Sequence, residues 1–172
     1  QTVGHAVVVD FSKYMRNVLE INSEEGWVKV QPGIILDELN DQIKHTGSFF
    51  SPDPSTSNRS NVGGALGNNS CGAHSIVWGK TSDNVLGLQA ILSDGSKTSM
   101  DTLTRNQMRQ KMQLDNLEGK IYRTLDNVAG STREEVETKY PKILRRVGGY
   151  NLDHLMSTDY IDMAKFVVGS EG

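Results

Sequence analysis

Apolar positions change rhythm several times along the chain, and each rhythm predicts an element. From Val3 to Val9 they are nearly continuous and rich in β-branched residues, which predicts a buried strand stopped at Asp10. Lys13 to Val18 reads as a short polar connection. Leu19 to Ile21 and Trp27 to Gln31 predict two strands around a turn at Asn22 to Gly26, the second with clean alternation. Pro32-Gly33 breaks the pattern. Ile35, Leu36, Leu39 and Ile43 then recur at helical spacing, so Ile34 to His45 is expected to be an amphipathic helix that packs on the core and ends at Gly47.

Val85 to Leu92 predicts a further strand, Asp94-Gly95 a tight turn, and Ser96 to Met100 the returning partner. From Thr102 to Met156 the sequence becomes charged and helical. Leu117, Ile121, Leu125 and Val128 mark one face, Thr132-Arg133-Glu134-Glu135 resembles a capping box, and Pro141 starts or breaks a helix. This stretch is expected to be a helical insertion within a single domain spanning 1–172. Lys111, Glu118 and Glu137 are read as its surface charges. Lys139, Lys142, Arg145 and Arg146 could form an anion site, but read better as a solvated helix face. Lys165 to Val168 predicts a last strand, and Gly169 to Gly172 a turn.

Between Phe50 and Ala73 no period survives. Ser51 to Gly72 concentrates the residues that shape backbone. Pro52 and Pro54 fix φ, Gly63, Gly64, Gly67 and Gly72 allow close approach to the main chain, and Asn58, Asn61, Asn68 and Asn69 supply short polar groups. Asp53 and Arg59 are its only charges. A flexible surface loop is one reading. Against it, Val62, Ala65 and Leu66 would anchor the stretch to a core. The other reading is a cradle whose backbone N–H groups hold a phosphate-bearing ligand, with a short helix near Gly63 adding its N-terminal donors. Two common phosphate motifs fail: Val62 stands where a dinucleotide fingerprint needs its first glycine, and His74 where a P-loop ending at Gly79-Lys80-Thr81 needs one.

Composition narrows the classes. A net charge of −3 argues against a nucleic-acid footprint. No apolar run approaches the roughly 20 residues of a membrane span. Cys71 is the single cysteine, so no internal disulfide and no cysteine-ligated metal centre can form within the chain. Asn58-Arg59-Ser60 and Asn68-Asn69-Ser70 match the glycosylation sequon, but a reduced intracellular setting fits better. The separations of His5, His45, His74 and His154 make no metal motif. The chain starts at Gln1, and its true start is expected to lie further upstream.

Four ordered blocks carry a resemblance. They are Pro52-Asp53-Pro54-Ser55-Thr56-Ser57 with Val62-Gly63-Gly64 and Gly67-Asn68-Asn69-Ser70-Cys71-Gly72; Trp78-Gly79-Lys80-Thr81-Ser82-Asp83-Asn84-Val85; Leu88 to Gly95; and Val167-Val168-Gly169-Ser170-Glu171-Gly172. Together they resemble the FAD-binding domain of FAD-linked oxidases of PCMH (vanillyl-alcohol-oxidase) type. Lys142 to Arg146 with Gly149-Tyr150-Asn151-Leu152 is similar to the branch of glycolate oxidase, D-lactate and D-2-hydroxyglutarate dehydrogenases, some fused to iron–sulfur modules.

The resemblance implies an α+β fold, with a mixed or antiparallel sheet flanked by helices and truncated at both ends. It implies FAD, non-covalently held, by Pro52, Asp53, Pro54, Ser55, Thr56, Ser57, Val62, Gly63, Gly64, Gly67, Asn68, Asn69, Ser70, Gly72, Ala73, His74, Asp83, Val85, Gly169, Glu171 and Gly172. His74 serves either FAD or the fold. No catalytic base is expected in this chain, since the family's base comes from a cap domain. The implied reaction is hydride transfer from a 2-hydroxy acid to FAD. The substrate is a small molecule, the electron acceptor is open, and an iron–sulfur cluster belongs only to missing parts. A cytoplasmic location, peripheral to the inner membrane at most, is expected. The fragment alone is expected to hold FAD weakly, to be inactive and to be prone to self-association. The rival reading is a non-catalytic nucleotide-binding or interaction module.

Overall fold

The computed structural model describes Gly4, His5 and residues 7–171. Six strands pair as three separate antiparallel ribbons: β1 (Val18–Asn22) with β2 (Trp27–Val30), β3 (Leu88–Ile91) with β4 (Lys97–Met100), and β5 (Thr102–Thr104) with β6 (Tyr160–Asp162). The single sheet expected from the sequence is thus three ribbons among the described residues. The helices are α1 (Leu36–Ile43), α2 (Val62–Asn68), α3 (Ser75–Trp78), α4 (Arg105–Met112), α5 (Leu117–Lys139) and α6 (Met163–Val167). The mixed composition agrees with the expected α+β class.

Two hydrophobic cores organise these elements. The first gathers Ile34, Leu36, Leu39 and Ile43 with Val62 and Ala65 of α2, under Val18, Val28 and Val30 of the first ribbon. The helical spacing read for α1 is therefore its buried face, and Gly47 ends it in the left-handed region (φ 76°) after a 3₁₀ turn. The second core joins Leu103, Met108, Tyr122, Ala129, Leu155, Ile161, Met163 and Phe166.

Several expectations are corrected. Val7, Val8 and Val9 form no strand; they are 91%, 66% and 63% exposed. A strand needs a neighbour for its N–H and C=O groups, and none of the described strands pairs with it. Val3 and Ala6 lie outside the described residues. Lys165 to Val168 is not a strand but the end of α6, because the Asp162 carboxylate accepts from Lys165 N at 2.9 Å and caps a helix there; the strand precedes it, at β6. Thr132 is no cap either. It lies inside α5, where its hydroxyl donates to Val128 O at 2.7 Å, and the true N-cap is Asn116, which accepts from Gly119 N at 3.0 Å. Pro141 stops α5 as read.

The buried stripe of α5 is Gly119, Tyr122, Ala129 and Val136, rotated from the expected Leu117, Ile121, Leu125 and Val128. The cause is close approach: a Cβ on Gly119 would sit 2.0 Å from Leu114 O, so the helix packs by its smallest residues there. Lys111 and Glu118 are not free surface charges. Glu118 Oε1 accepts from Lys111 Nζ and from Thr98 Oγ1, both at 2.6 Å, and binds α4 and α5 to β4.

Gly119 and Gly130 make opposite predictions within one helix. Glycine costs a helix interior up to about 1 kcal/mol against alanine, and a Cβ at Gly130 meets nothing within 4 Å. Gly130→Ala should raise the melting temperature. Gly119→Ala should lower it, because overpacking costs about 1–3 kcal/mol and outweighs propensity.

His154 makes a pH prediction. Burial, helped by Lys165, pushes its imidazole below 6.5 against the pull of Asp153, Asp162 and Asp83. The unfolded chain therefore takes the proton first, so the neutral-state stability is full above pH 6.5 and declines as pH falls below it. The melting temperature of His154→Gln should fall less between pH 7.5 and 5.5 than that of the parent; equal falls would contradict this assignment.

Candidate functional site

The stretch from Ser51 to His74 folds into a loop, helix α2 and a second loop. Asn61 caps α2, its side chain accepting from Gly64 N at 2.7 Å. Helix α2 does not supply the expected anion-binding terminus. Val62 N donates to Ile34 O at 2.9 Å, Gly63 N to Pro32 O at 2.8 Å and Ala65 N to Asn61 O at 3.0 Å. With Gly64 also taken, its first-turn donors are spent on holding α2 to the first core.

The glycines divide accordingly. A Cβ on Gly63 would lie 2.9 Å from Pro32 Cβ, and on Gly72 within 2.0–2.4 Å of Asp53. These two glycines serve packing. Gly64 and Gly67 are different: added Cβ atoms would meet only Asn61 Oδ1 at 3.0 Å and Glu171 Cβ at 4.0 Å, leaving the helix surface open to approach. Val62 is buried in the first core, and Pro52 is fully buried.

The second loop is bound to both neighbours. Asp53 clasps His74 twice, through Nδ1 and through the backbone N–H at 3.3 Å. Burial opposes ionisation of Asp53, but these bonds and the His74 ring outweigh it and hold its carboxyl below the ordinary range. The His74 ring lies 5.0 Å from that of Trp78, which meets Phe49 edge-on at 5.0 Å. Gly72 N donates to Ser75 Oγ at 2.9 Å, and Thr81 Oγ1 to Ser70 O at 2.8 Å. Asp83 orders the next turn, accepting from Lys80 N at 2.9 Å and Lys80 Nζ at 3.2 Å. Burial works against its charge and Lys80 prevails, so its carboxyl also titrates low. Ser51 and Asn84 tie the two loops together, Ser51 Oγ lying 3.1 Å from Asn84 Oδ1. Val85 leaves this turn in extended conformation, half-buried.

The distant C-terminal block closes the cradle. Gly169 N donates to Leu66 O at 2.8 Å and Glu171 N to Gly67 O at 2.9 Å, satisfying carbonyls at the end of α2. Asn68 Nδ2 reaches Glu171 Oε2 at 3.2 Å. Asn69 takes the left-handed conformation (φ 50°), is buried, and accepts from Ser82 N at 3.0 Å. Gly172 lies outside the described residues. Pro54, Ser55, Thr56, Ser57 and Ala73 lie on the two loops, with Ser57 O accepting from Asp37 N at 3.3 Å at the start of α1. Ser75, Thr81, Ser82 and Asn84 hold the cradle together; the last three lie in the Trp78 to Val85 block named for the resemblance but are not among its implied site residues, and Ser75 is not named there.

The basic cluster is also corrected. Only Lys139 is helical. Residues 141–150 form a loop, which Pro141 and two glycines favour over a helix. That loop lies against the cradle: Lys80 Nζ donates to Leu144 O at 3.4 Å and Arg145 Nη2 lies 3.1 Å from Cys71 Sγ.

The donor set fits an anionic, oxygen-rich ligand such as FAD. Among the described residues, the backbone N–H groups of Ser55, Thr56, Cys71 and Ala73 have no protein acceptor. Asn69 Nδ2 is buried without a partner, which costs about 1–3 kcal/mol when nothing offsets it. Among the described residues no group of His, Cys, Asp and Glu could hold a metal ion, and no helix is long and apolar enough to cross a membrane.

Comparisons with known proteins place the chain in a class. The family model described as FAD binding domain matches residues 1–101, and the chain belongs to that family. Over its full length the chain is 38% identical to D-2-hydroxyglutarate dehydrogenase of Pantoea ananatis and 36% identical to D-2-hydroxyglutarate dehydrogenase of Escherichia coli, covering 17% of each of those proteins. Over 83 residues, 48% of the chain and 18% of the relative, it is 37% identical to glycolate oxidase subunit GlcD of Bacillus subtilis.

The glycine assignment predicts a fold effect free of ligand. Gly63→Ala and Gly72→Ala should each lower the melting temperature without FAD, whereas Gly64→Ala should leave it within a degree or two, since Asn61 Oδ1 needs to give only a few tenths of an ångström.

Proposed function

We propose that this chain is the FAD-binding part of a flavin-dependent oxidoreductase that oxidises a 2-hydroxy acid, with D-2-hydroxyglutarate the leading substrate and D-lactate and glycolate the related ones. The observation that carries it is the assembly of one cradle from 51–74, 81–85 and 169–171 in a chain that aligns end to end with proteins named D-2-hydroxyglutarate dehydrogenase. On this reading 1–172 is a single FAD-binding unit and 102–156 its helical insertion. FAD is held non-covalently by the loop Pro52 to Ser57, the open face of α2 at Gly64 and Gly67, the turn Asn68 to His74, Asp83 with Val85, and the Gly169 to Gly172 block.

Bound flavin supplies the hydride acceptor. This chain's own residues position it. Idle main-chain N–H groups of the two loops bind anionic oxygens, Asn69 offers a buried amide, and the Asp53–His74 pair fixes the imidazole beside Trp78. The base is assigned, as the family resemblance implies, to a cap domain outside 1–172, and no electron acceptor is assigned.

The intact protein should show flavin absorption near ~450 nm, and that band should bleach anaerobically with D-2-hydroxyglutarate faster than with D-lactate or glycolate. Gly64→Val should lose the flavin while the apoprotein melts as the parent does, because a branched side chain blocks the open face of α2. A colourless protein that takes up no added FAD would overturn the reading. A flavoprotein bleached by none of the three acids would remove the substrate class but keep the cradle.

A further inference from the structure

The cradle is poor in free positive charge. Asp53 is matched by His74, Asp83 by Lys80, and Arg59 reaches only the neighbouring Asn58 side chain at 3.1 Å. FAD brings a pyrophosphate with two negative charges. Within the stretch itself, the exposed Arg59 is the one cation without a carboxylate partner among the described residues.

The loop 141–150 changes this balance. It is tied to the cradle side at its middle and at its C-terminal end. Lys80 Nζ holds Leu144 O, Tyr150 stacks on Phe166 with centroids 5.0 Å apart, and the Asn151 amide donates to Lys165 O at 2.9 Å and Val168 O at 2.8 Å. The carbonyls of Gly149 and Val147 lie 3.2 and 3.7 Å from where a Gly169 Cβ would stand. The loop therefore touches the same turn that closes α2. Of its two arginines, Arg146 is committed: Asp153 pairs with it, and its guanidinium lies 4.4 Å from the Tyr140 ring centroid. Arg145 is not. Among the described residues its one polar contact is Cys71 Sγ, at 3.1 Å, and no carboxylate pairs with it. Sulfur is a weak acceptor, so the guanidinium keeps its charge and most of its donors. Cys71, whose side chain it touches, and Ala73 two positions on have backbone N–H groups without a protein acceptor.

We infer that Arg145 binds the pyrophosphate of FAD, acting with the main-chain donors around Cys71 as the charged member of the cradle. The inference rests on the reading that the cradle holds FAD. A planar guanidinium suits phosphate oxygens in a two-pronged bond. A loop remote in sequence thereby joins the site.

The test uses the intact protein stripped of flavin, with dissociation constants for FAD and for riboflavin, which has no phosphate, read from flavin fluorescence. Arg145→Ala should weaken FAD about 10- to 100-fold, the loss of a charge-assisted hydrogen bond, and leave riboflavin within twofold. Arg145→Lys should recover part of the loss, and Arg59→Ala should stay within about twofold. The salt dependence of FAD binding should flatten in Arg145→Ala. If the parent protein binds FAD and Arg145→Ala binds it equally well, the inference fails while the cradle stands. Unchanged FAD affinity with a raised KM for the hydroxy acid would instead assign Arg145 to the substrate carboxylate and overturn it. Equal weakening of FAD and riboflavin with a lowered melting temperature in both variants would make Arg145 a structural tie, which also overturns it. A parent protein that binds no FAD removes the cradle reading itself.

Discussion

The backbone bonds from Gly169 and Glu171 to the end of α2 are the constraint on which the site depends. A helix leaves its last carbonyls without partners. Here Leu66 and Gly67 receive theirs from residues about a hundred positions later. Gly169 can serve because its φ of 95° suits glycine, and because a side chain there would press on Asn69 Cβ at 3.3 Å and Gly149 O at 3.2 Å. One pair of bonds thus sets the position of Asn69, the turn after it and the loop 141–150. The first core lies beneath α2 and the second begins at Phe166, so the cradle is the seam between them.

The local elements were legible in the sequence wherever a strong period or a turn residue spoke. The β1–β2 and β3–β4 ribbons, α1 and its glycine stop, and the α2 start at Asn61-Val62-Gly63 are of this kind. Val7 to Val9 and Lys165 to Val168 were misread for a shared reason. A short apolar run has strand character only if a partner exists, and a run of four is equally compatible with a helical turn once Asp162 caps it. The α5 face departs from its run of large apolar residues because close approach to Leu114 O selects Gly119 and the second core takes Tyr122 and Ala129. The cradle residues were legible as a set, through glycine, proline and asparagine in an order shared with known flavoproteins. Their division of labour was not, since Gly63 and Gly64 look alike in sequence and differ only in what lies above them.

Satisfaction of hydrogen bonds explains that division. Main-chain donors at the start of α2 would be the natural anion site, yet the fold spends them on Pro32 and Ile34. What remains idle are loop donors: Ser55 and Thr56 on one side, Cys71 and Ala73 on the other. These loops are held by both main-chain and side-chain bonds, such as Asp37 N to Ser57 O, Asp53 to His74 and Ser51 to Asn84, while the helix presents an open, glycine-lined surface. Ser75, which the sequence did not point to, and Thr81, Ser82 and Asn84, which it placed only in a shared block, stiffen these loops from behind.

The seam also relates binding to stability. The two cores have no residue in common, and the cradle between them is bound mainly by polar contacts, each with a modest net value of about 0.5–1.5 kcal/mol. A ligand that touches the loops of the first core and the turn of the second adds its binding free energy to the association of the two, by about 2.7 kcal/mol when present at a hundred times its dissociation constant. The buried, unpartnered Asn69 amide costs stability in the empty protein. Polar groups that would be a defect in a structural loop are thereby consistent with a loop whose folded state includes its cofactor.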